Sequence, residues 1–394
     1  MAPAQKSTCP KTVPSSGITT RGEGNNMSDN IFVTKPYLPP LEEFTPYLEK
    51  IWSSGVLSNC GPFHAELERQ LAEYLGVPHI SLFTNGTIAL LTALQAVGAT
   101  GEVITTPFSF VATSHAVLWN QLTPVFVDIE PSTLNLDPAK VEAAITPQTS
   151  VILPVHCYGN PAQTDALEDI AKRHNLKLVY DASHAFGVQN SRGSVLNCGD
   201  LSTLSLHATK VFNTFEGGAI ICQTAEMKAH IDKLKNFGHE GETSVVATGI
   251  NGKMSEINSA FGLVQLKHID SVIRRRGEIA REFRDAIDRI EGLNYIDPAL
   301  GGAEPNYAYF PILVRSNYRV TRDDLYHHMK AHGIHPRRYF YPLITEFDMY
   351  NAFPSADASL LPVAKQAADQ VLCLPIYPGL DDASVERIID LLSR

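Results

Sequence analysis

Residues 79–97 read HISLFTNGTIALLTALQAV. The run 80–83 has the length and apolarity of a strand, Thr84-Asn85-Gly86-Thr87 breaks it, and 87–97 is rich in Ala and Leu at helical length. The break also argues against a membrane span, which needs ~20 mainly apolar residues. The same unit recurs downstream. Strand-like runs at 103–106 and 125–127 flank a helical stretch near 111–120. Another apolar run, 151–155, leads to a helix around 164–174, and 176–180 is a strand ending at Asp181. Short strands alternating with longer helices predict an α/β fold, a parallel sheet with helices on both faces. In such sheets ligands bind beyond the carboxyl ends of the strands, so the residues just after each strand are the place to look for chemistry.

After the apolar run 218–222 the character changes. Residues 255–287 read as one or two long helices carrying the basic run Arg274-Arg275-Arg276, whose simplest reading is a solvated face. A second, smaller α/β pattern follows, with strands at 309–314 and 371–374 and helices near 322–332 and 383–392. The expected organisation is therefore a large domain over 27–265 and a small C-terminal domain over 266–394. Residues 1–26 are polar and rich in Ser, Thr, Gly and Pro, which reads as a disordered tail, with no apolar segment of the kind a secretory signal needs. Met27 is a candidate alternative start.

The 394 residues carry 32 Lys plus Arg against 42 Asp plus Glu, a net charge of −10 that offers phosphate backbones no attraction. Nucleic acid and membrane are therefore not expected partners. Six scattered cysteines without a C-x-x-C pair point to a reducing cytoplasm. His328 and His332 have a spacing that can share zinc, but no matching third ligand lies nearby, and no metal is expected.

Three positions could carry chemistry. Asn85-Gly86-Thr87 opens a helix after a strand, which makes either an anion site or a plain turn capped by Thr87. Asp181 ends a strand, where it can face a protonated heterocycle or cap the next element, with His184 three residues on. Lys210 follows an apolar strand beside the glycine-rich Phe215-Glu216-Gly217-Gly218, and a partly desolvated lysine there can form a Schiff base. Together these are the parts pyridoxal phosphate needs: an anion cradle, an acid partner for the ring nitrogen and a lysine. Phe110 could cover a ring face.

The segments TNGTIAL (84–90), TTPFSFVATSHAV (105–117), PVHCYG (154–159), YDASHAFG (180–187), LSLHATKVFNTFEGGAI (204–220) and GINGKMSEINSAFGLVQL (249–266) closely resemble the DegT/DnrJ/EryC1/StrS family of sugar aminotransferases. The resemblance runs from about Val33 to the C-terminus. It implies the fold type I, aspartate-aminotransferase-like architecture and pyridoxal 5'-phosphate as cofactor. It also implies Lys210 as the Schiff-base lysine, Asp181 on the pyridine nitrogen and His184 on the ring hydroxyl. Gly86, Thr87 and Ser205 would hold the phosphate, and Phe110 would stack on the ring. Asn251 would reach the phosphate of a neighbouring subunit, which implies a homodimer with shared sites. Family members move the amino group of L-glutamate to nucleotide-linked keto sugars. By the same analogy Arg337, Tyr339 and Tyr341 are candidate substrate contacts.

Within the family, VTKPYLPPLEEF (33–44) and GEVITTPFSFVAT (101–113) look most like enzymes making dTDP-4-amino-4,6-dideoxyglucose. The implied reaction is amination at C4 of dTDP-4-keto-6-deoxyglucose, in the supply of sugars for O-antigen, with a C3-aminating relative as the alternative. Dehydratases of the family replace the lysine with histidine, so Lys210 argues against that chemistry. Intact Lys210, Asp181, Thr87 and Ser205 argue against a non-catalytic regulatory relative. One departure stands out: Phe215 occupies the place of the first glycine in the Gly-Glu-Gly-Gly of many relatives.

Overall fold

The computed structural model of the chain describes residues 30–394. The expected tail, 1–26, and the candidate start Met27 lie outside the described residues. In chain order, α1 (Leu41–Ser54) and α2 (Pro62–Leu75) precede β1 (His79–Phe83), α3 (Gly86–Ala96), β2 (Glu102–Thr105), α4 (Ala112–Trp119) and β3 (Thr123–Phe126). Then come α5 (Pro138–Ala143), β4 (Thr149–Leu153), α6 (Thr164–Arg173), β5 (Lys177–Asp181), β6 (Leu201–Ser205), β7 (Gly218–Cys222) and α7 (Ala225–Leu234). The seven strands form one sheet in the order β1-β7-β6-β5-β4-β2-β3, with only β7 antiparallel to its neighbours. The expected α/β class and mostly parallel sheet are what the chain adopts.

Alternation along each strand feeds two layers. Phe83, Val103, Val151, Val179 and Ile220 pack on one face against Ala89, Leu90 and Ala93 of α3, Val117 of α4 and Ile231 of α7. Their neighbours Leu82 and Ile221 pack on the other face with α2, and Ile104, Ile152 and Tyr180 pack there with Leu167 and Ile170 of α6. Both faces are covered, so the strands read as unbroken apolar runs. Helices α1 and α2 precede the first strand of this sheet and are not among the elements expected from the sequence pattern.

The long helical region is two helices, α8 (Glu256–Leu266) and α9 (Ile269–Ile287). Ile269 and Val272 of α9 pack with the large sheet, whereas Ile279, Ala280, Phe283 and Ile287 pack with a smaller one. That smaller sheet is antiparallel, in the order β8 (Leu293–Tyr295), β9 (Phe310–Val314) and β10 (Val371–Leu374). Helices α10 (Arg322–Ala331), α11 (Pro362–Gln370) and α12 (Asp382–Ser393) complete the chain.

Of the basic run on α9 only Arg274 is exposed as a solvated face would be; the other two turn inward. Arg276 is 2% exposed and donates to the carbonyls of Tyr307, Ala308 and Ile376, while Arg275 bonds Asp382 and the carbonyl of Leu380. Charge alone did not reveal that unpaired carbonyls from distant segments would meet this side of the helix. No helix among the described residues is long and apolar enough to cross a membrane.

Candidate active site

Register brings three strand ends together. Ser205 lies opposite Gly218 across β6 and β7, and Gly218 lies opposite Phe83 across β7 and β1. Asp181, at the end of β5, pairs with Thr203 of β6. The turns after β1, β5 and β6 therefore open onto one cleft of about 320 Å3. Gly86, Thr87, Phe110, Asp181, His184, Ser205 and Lys210 all line it, together with Tyr309, Tyr339 and Phe340.

The turn after β1 is built for close approach. Asn85, in extended conformation, caps α3 through its Oδ1, which accepts from the Ile88 N–H at 2.9 Å. Asn85 therefore does the capping that the sequence reading gave to Thr87. The first N–H groups of a helix lack intrahelical acceptors and carry the positive end of its dipole. A Cβ on Gly86 would come within 2.9 Å of the Ser205 Cβ and 3.2 Å of its hydroxyl. Gly218 is tighter still: a Cβ there would lie 2.4 Å from the Asn85 carbonyl oxygen and 2.7 Å from the Gly86 nitrogen. These glycines leave an open cradle beside the Ser205 hydroxyl, with the donors a phosphate group needs.

Asp181 is 4% exposed and is oriented from two sides. The Thr113 hydroxyl donates to Oδ2 at 2.7 Å, and the Ser183 N–H donates to Oδ1 at 3.1 Å. Thr113 in turn lies 2.9 Å from the Ser109 hydroxyl, and its N–H donates to the Phe110 carbonyl, so the turn carrying Phe110 is tied to the carboxylate. The Phe110 ring is 59% exposed at the mouth of the cleft. Thr113 belongs to the TTPFSFVATSHAV segment, but its partner is 68 residues away and no local pattern names it.

His184 accepts from the Tyr158 N–H through Nδ1 at 3.3 Å, which assigns the remaining proton to Nε2. Burial, and secondarily the charge of Lys210, holds its imidazolium pKa well below the ordinary value, so the ring is neutral. Burial also lowers the Lys210 pKa from 10.5 to about 8, against the opposing pull of Asp181. A carboxylate, a neutral imidazole donor, an anion cradle and a lysine amine in one cleft fit the parts of pyridoxal phosphate.

The other candidates lie elsewhere. Asn251 is exposed and lines a separate hollow with Ile88, Leu91, Trp119 and Ile250. Arg337 is exposed and pairs through its backbone with Cys373. Tyr341 lies against the guanidinium groups of Arg322 and Arg338. Of the three substrate candidates only Tyr339 lines the cleft. Phe215 adopts a left-handed φ of 63°, a conformation that favours glycine, and its ring stacks on Phe261 at 3.9 Å.

A model of the DegT/DnrJ/EryC1/StrS aminotransferase family matches residues 41–393. The dTDP-4-amino-4,6-dideoxy-D-glucose transaminase of Shigella dysenteriae is 53% identical over 367 residues, covering 93% of this chain and 99% of that protein. The enzyme of the same name from Escherichia coli is 54% identical over 361 residues, covering 91% and 97%. Among solved structures, DesI in the presence of its TDP-sugar product superposes with a TM-score of 0.88 at 36% identity, covering 93% of this chain and 92% of that one.

Proposed function

Because the chain belongs to the DegT/DnrJ/EryC1/StrS aminotransferase family, we propose that it is the pyridoxal-phosphate-dependent enzyme that aminates C4 of dTDP-4-keto-6-deoxyglucose. Its product is dTDP-4-amino-4,6-dideoxyglucose, an amino sugar for O-antigen or a related glycan, and its amino donor is L-glutamate. The observation that carries this reading is identity above one half, over nearly the full chain, to two transaminases named for that product. The same names favour C4 over the C3 alternative. We place the enzyme in the cytoplasm, in keeping with the free thiols of Cys157, Cys198, Cys222 and Cys373 buried in the fold.

Pyridoxal phosphate, when bound, supplies an electron-poor ring that takes up the electron pair released at the α-carbon of the amino donor. The N-terminus of α3, with Gly86, Thr87 and Ser205, would hold its phosphate. Asp181, fixed by Thr113 and Ser183, would keep the ring nitrogen protonated. His184 would donate from Nε2 to the ring oxygen. Lys210, with its lowered pKa, has free amine available near neutral pH to bond the cofactor. Once glutamate displaces it, the same Nζ can take the proton from the donor's α-carbon.

Two features support a homodimer with shared sites. Asn251 lines a hollow separate from the cleft of its own chain, as a residue serving a neighbour would. Trp52, Trp119, Val245 and Ile250 are exposed large apolar side chains of the kind a second subunit covers.

The test is a visible absorption titration of the cofactor-loaded protein. L-Glutamate is expected to bleach the band of the lysine-bound cofactor, and dTDP-4-keto-6-deoxyglucose to restore it, with NMR placing the new amine at C4. Bleaching without restoration by that sugar would overturn the substrate, and an amine at C3 would overturn the position.

A further inference from the structure

The cleft contains a residue that neither the sequence motifs nor the resemblance assigned. Tyr309, immediately before β9, has its hydroxyl 3.5 Å from Lys210 Nζ, whereas the amine is 5.9 Å from the centre of its ring. The contact is therefore with the hydroxyl end of the side chain rather than with the aromatic face.

Tyr309 is held from several directions. Its ring meets His184 edge to face at 4.8 Å and Tyr339 at 5.7 Å, and it packs on Tyr158 at 5.9 Å. The backbone leading to it is clamped at both ends. Asn306 Nδ2 donates to the carbonyls of His184 and Phe186 at 2.8 and 2.9 Å, tying this strand entrance to the loop after Asp181. Arg276 Nη1, deep under the strand, donates to the carbonyls of Tyr307 and Ala308 at 3.2 and 3.4 Å. Burying that guanidinium is costly enough to pull its pKa down to about 10, so its bonds to carbonyls answer a real desolvation penalty. The result is a phenol whose position relative to Asp181, His184 and Lys210 is fixed by groups from α9, the segment before β9 and the loop after β5.

We infer that Tyr309 is a positioning residue for Lys210, aiming the Nζ lone pair first at the cofactor's aldehyde and then at the α-hydrogen of the donor. The inference rests on the transaminase reading above. A hydroxyl suits both states of the amine, because it accepts from an ammonium and donates to a free amine. A carboxylate at this place would trap the ammonium. Burial raises the Tyr309 pKa, so the phenol keeps the proton it needs to donate. In the proton-transfer step the donor's Cα–H bond breaks, an N–H bond forms on Nζ, and the electron pair passes to the cofactor. Orientation of the lone pair governs that step, and misalignment of about 1 Å costs on the order of a hundredfold in rate.

The competing reading makes Tyr309 a packed wall of the cleft, in which case its ring matters and its hydroxyl does not. Tyr309→Phe separates the two, since it keeps the ring and removes only the oxygen. The expected result is a kcat lowered roughly 10- to 100-fold, with the KM for L-glutamate within twofold and an unchanged melting temperature. The kinetic isotope effect with α-deuterated glutamate should rise, and uptake of pyridoxal phosphate by the cofactor-free protein, followed by visible absorbance, should slow about tenfold. A Tyr309→Phe protein that takes up the cofactor at the wild-type rate and keeps kcat within twofold overturns the inference. Uptake needs no amino donor or sugar. If the wild-type protein fails to respond to glutamate, the transaminase reading falls, and the uptake rates still decide the role of Tyr309.

Discussion

Burial strips water from the Lys210 ammonium while the Asp181 carboxylate favours its charge, and the balance fixes the pH at which the amine becomes a nucleophile. Burial is the larger effect, so the lysine loses its proton near pH 8 rather than 10.5. The rate of pyridoxal phosphate uptake by the cofactor-free protein should therefore climb through neutral pH, reach half its plateau near pH 8 and level off about one unit above. At pH 7 it should stand about tenfold below its plateau, following the free-amine fraction. Asp181→Asn removes the charge that favours the ammonium, so its inflection should move to lower pH. Stopped-flow absorbance between pH 6 and 10 measures both, and an inflection that moved upward in the variant would refute this account of the field. Asp181 was legible in the sequence because it ends an apolar run, where an ionisable side chain is unexpected, and Lys210 because it lies a few residues past a strand beside a glycine-rich turn. Tyr309 follows no such rule. A tyrosine before a strand is ordinary until Asn306 and Arg276 are seen fixing it against a lysine 99 residues away.

At the scale of elements, the anion cradle depends on how closely β7 passes beneath the turn from β1 into α3. The backbone atoms that a Cβ on Gly218 would meet cannot rotate away as a side chain could: the Asn85 oxygen at 2.4 Å, the Asn85 carbon at 2.5 Å and the Gly86 nitrogen at 2.7 Å. Gly218→Ala should push the start of α3 off β7 and disturb both the cap and the cradle. Pyridoxal phosphate affinity should fall at least about tenfold, and losing a helix cap typically costs ~1 kcal/mol of stability. Gly379→Ala is the control, because its Cβ would meet nothing nearer than 3.9 Å and should change neither property. Fluorescence titration with the cofactor and thermal melting provide the comparison, and equal behaviour of the two variants would sink the argument. The glycine-rich turn was visible in the sequence as a companion of Lys210. Its reason was not, since the atoms it makes room for belong to a turn more than a hundred residues earlier. The basic run on α9 shows the same limit. Periodicity identified the helix, but which carbonyls would surround Arg276 depends on where Tyr307, Ala308 and Ile376 fold back.

For the whole molecule, the decisive feature is a charge mismatch between one chain's cleft and its proposed ligands. L-Glutamate carries two carboxylates and the sugar nucleotide a diphosphate, yet among the described residues lining the cleft there is no arginine and Lys210 is the sole lysine. That amine is committed to the cofactor. Further polar and cationic groups must then come from beyond this lining, and a second copy is the simplest source, with the neutral Asn251 as its polar contribution to the cradle and its cations as a separate one. If the sites are shared, Lys210→Ala and Asn251→Ala damage different contributions to the same site. Each variant alone should be strongly impaired. Random re-pairing of equal amounts makes half of the dimers mixed, and each mixed dimer holds one site with both an intact Lys210 and an intact partner asparagine. Activity should recover to roughly a quarter of wild type on that symmetry argument. The measurement is activity after dissociation and re-association, with native mass spectrometry confirming that mixed dimers form. Mixed dimers without recovery would show that each chain builds its site alone, and the missing positive charge would have to come from residues of the same chain that close over the substrate.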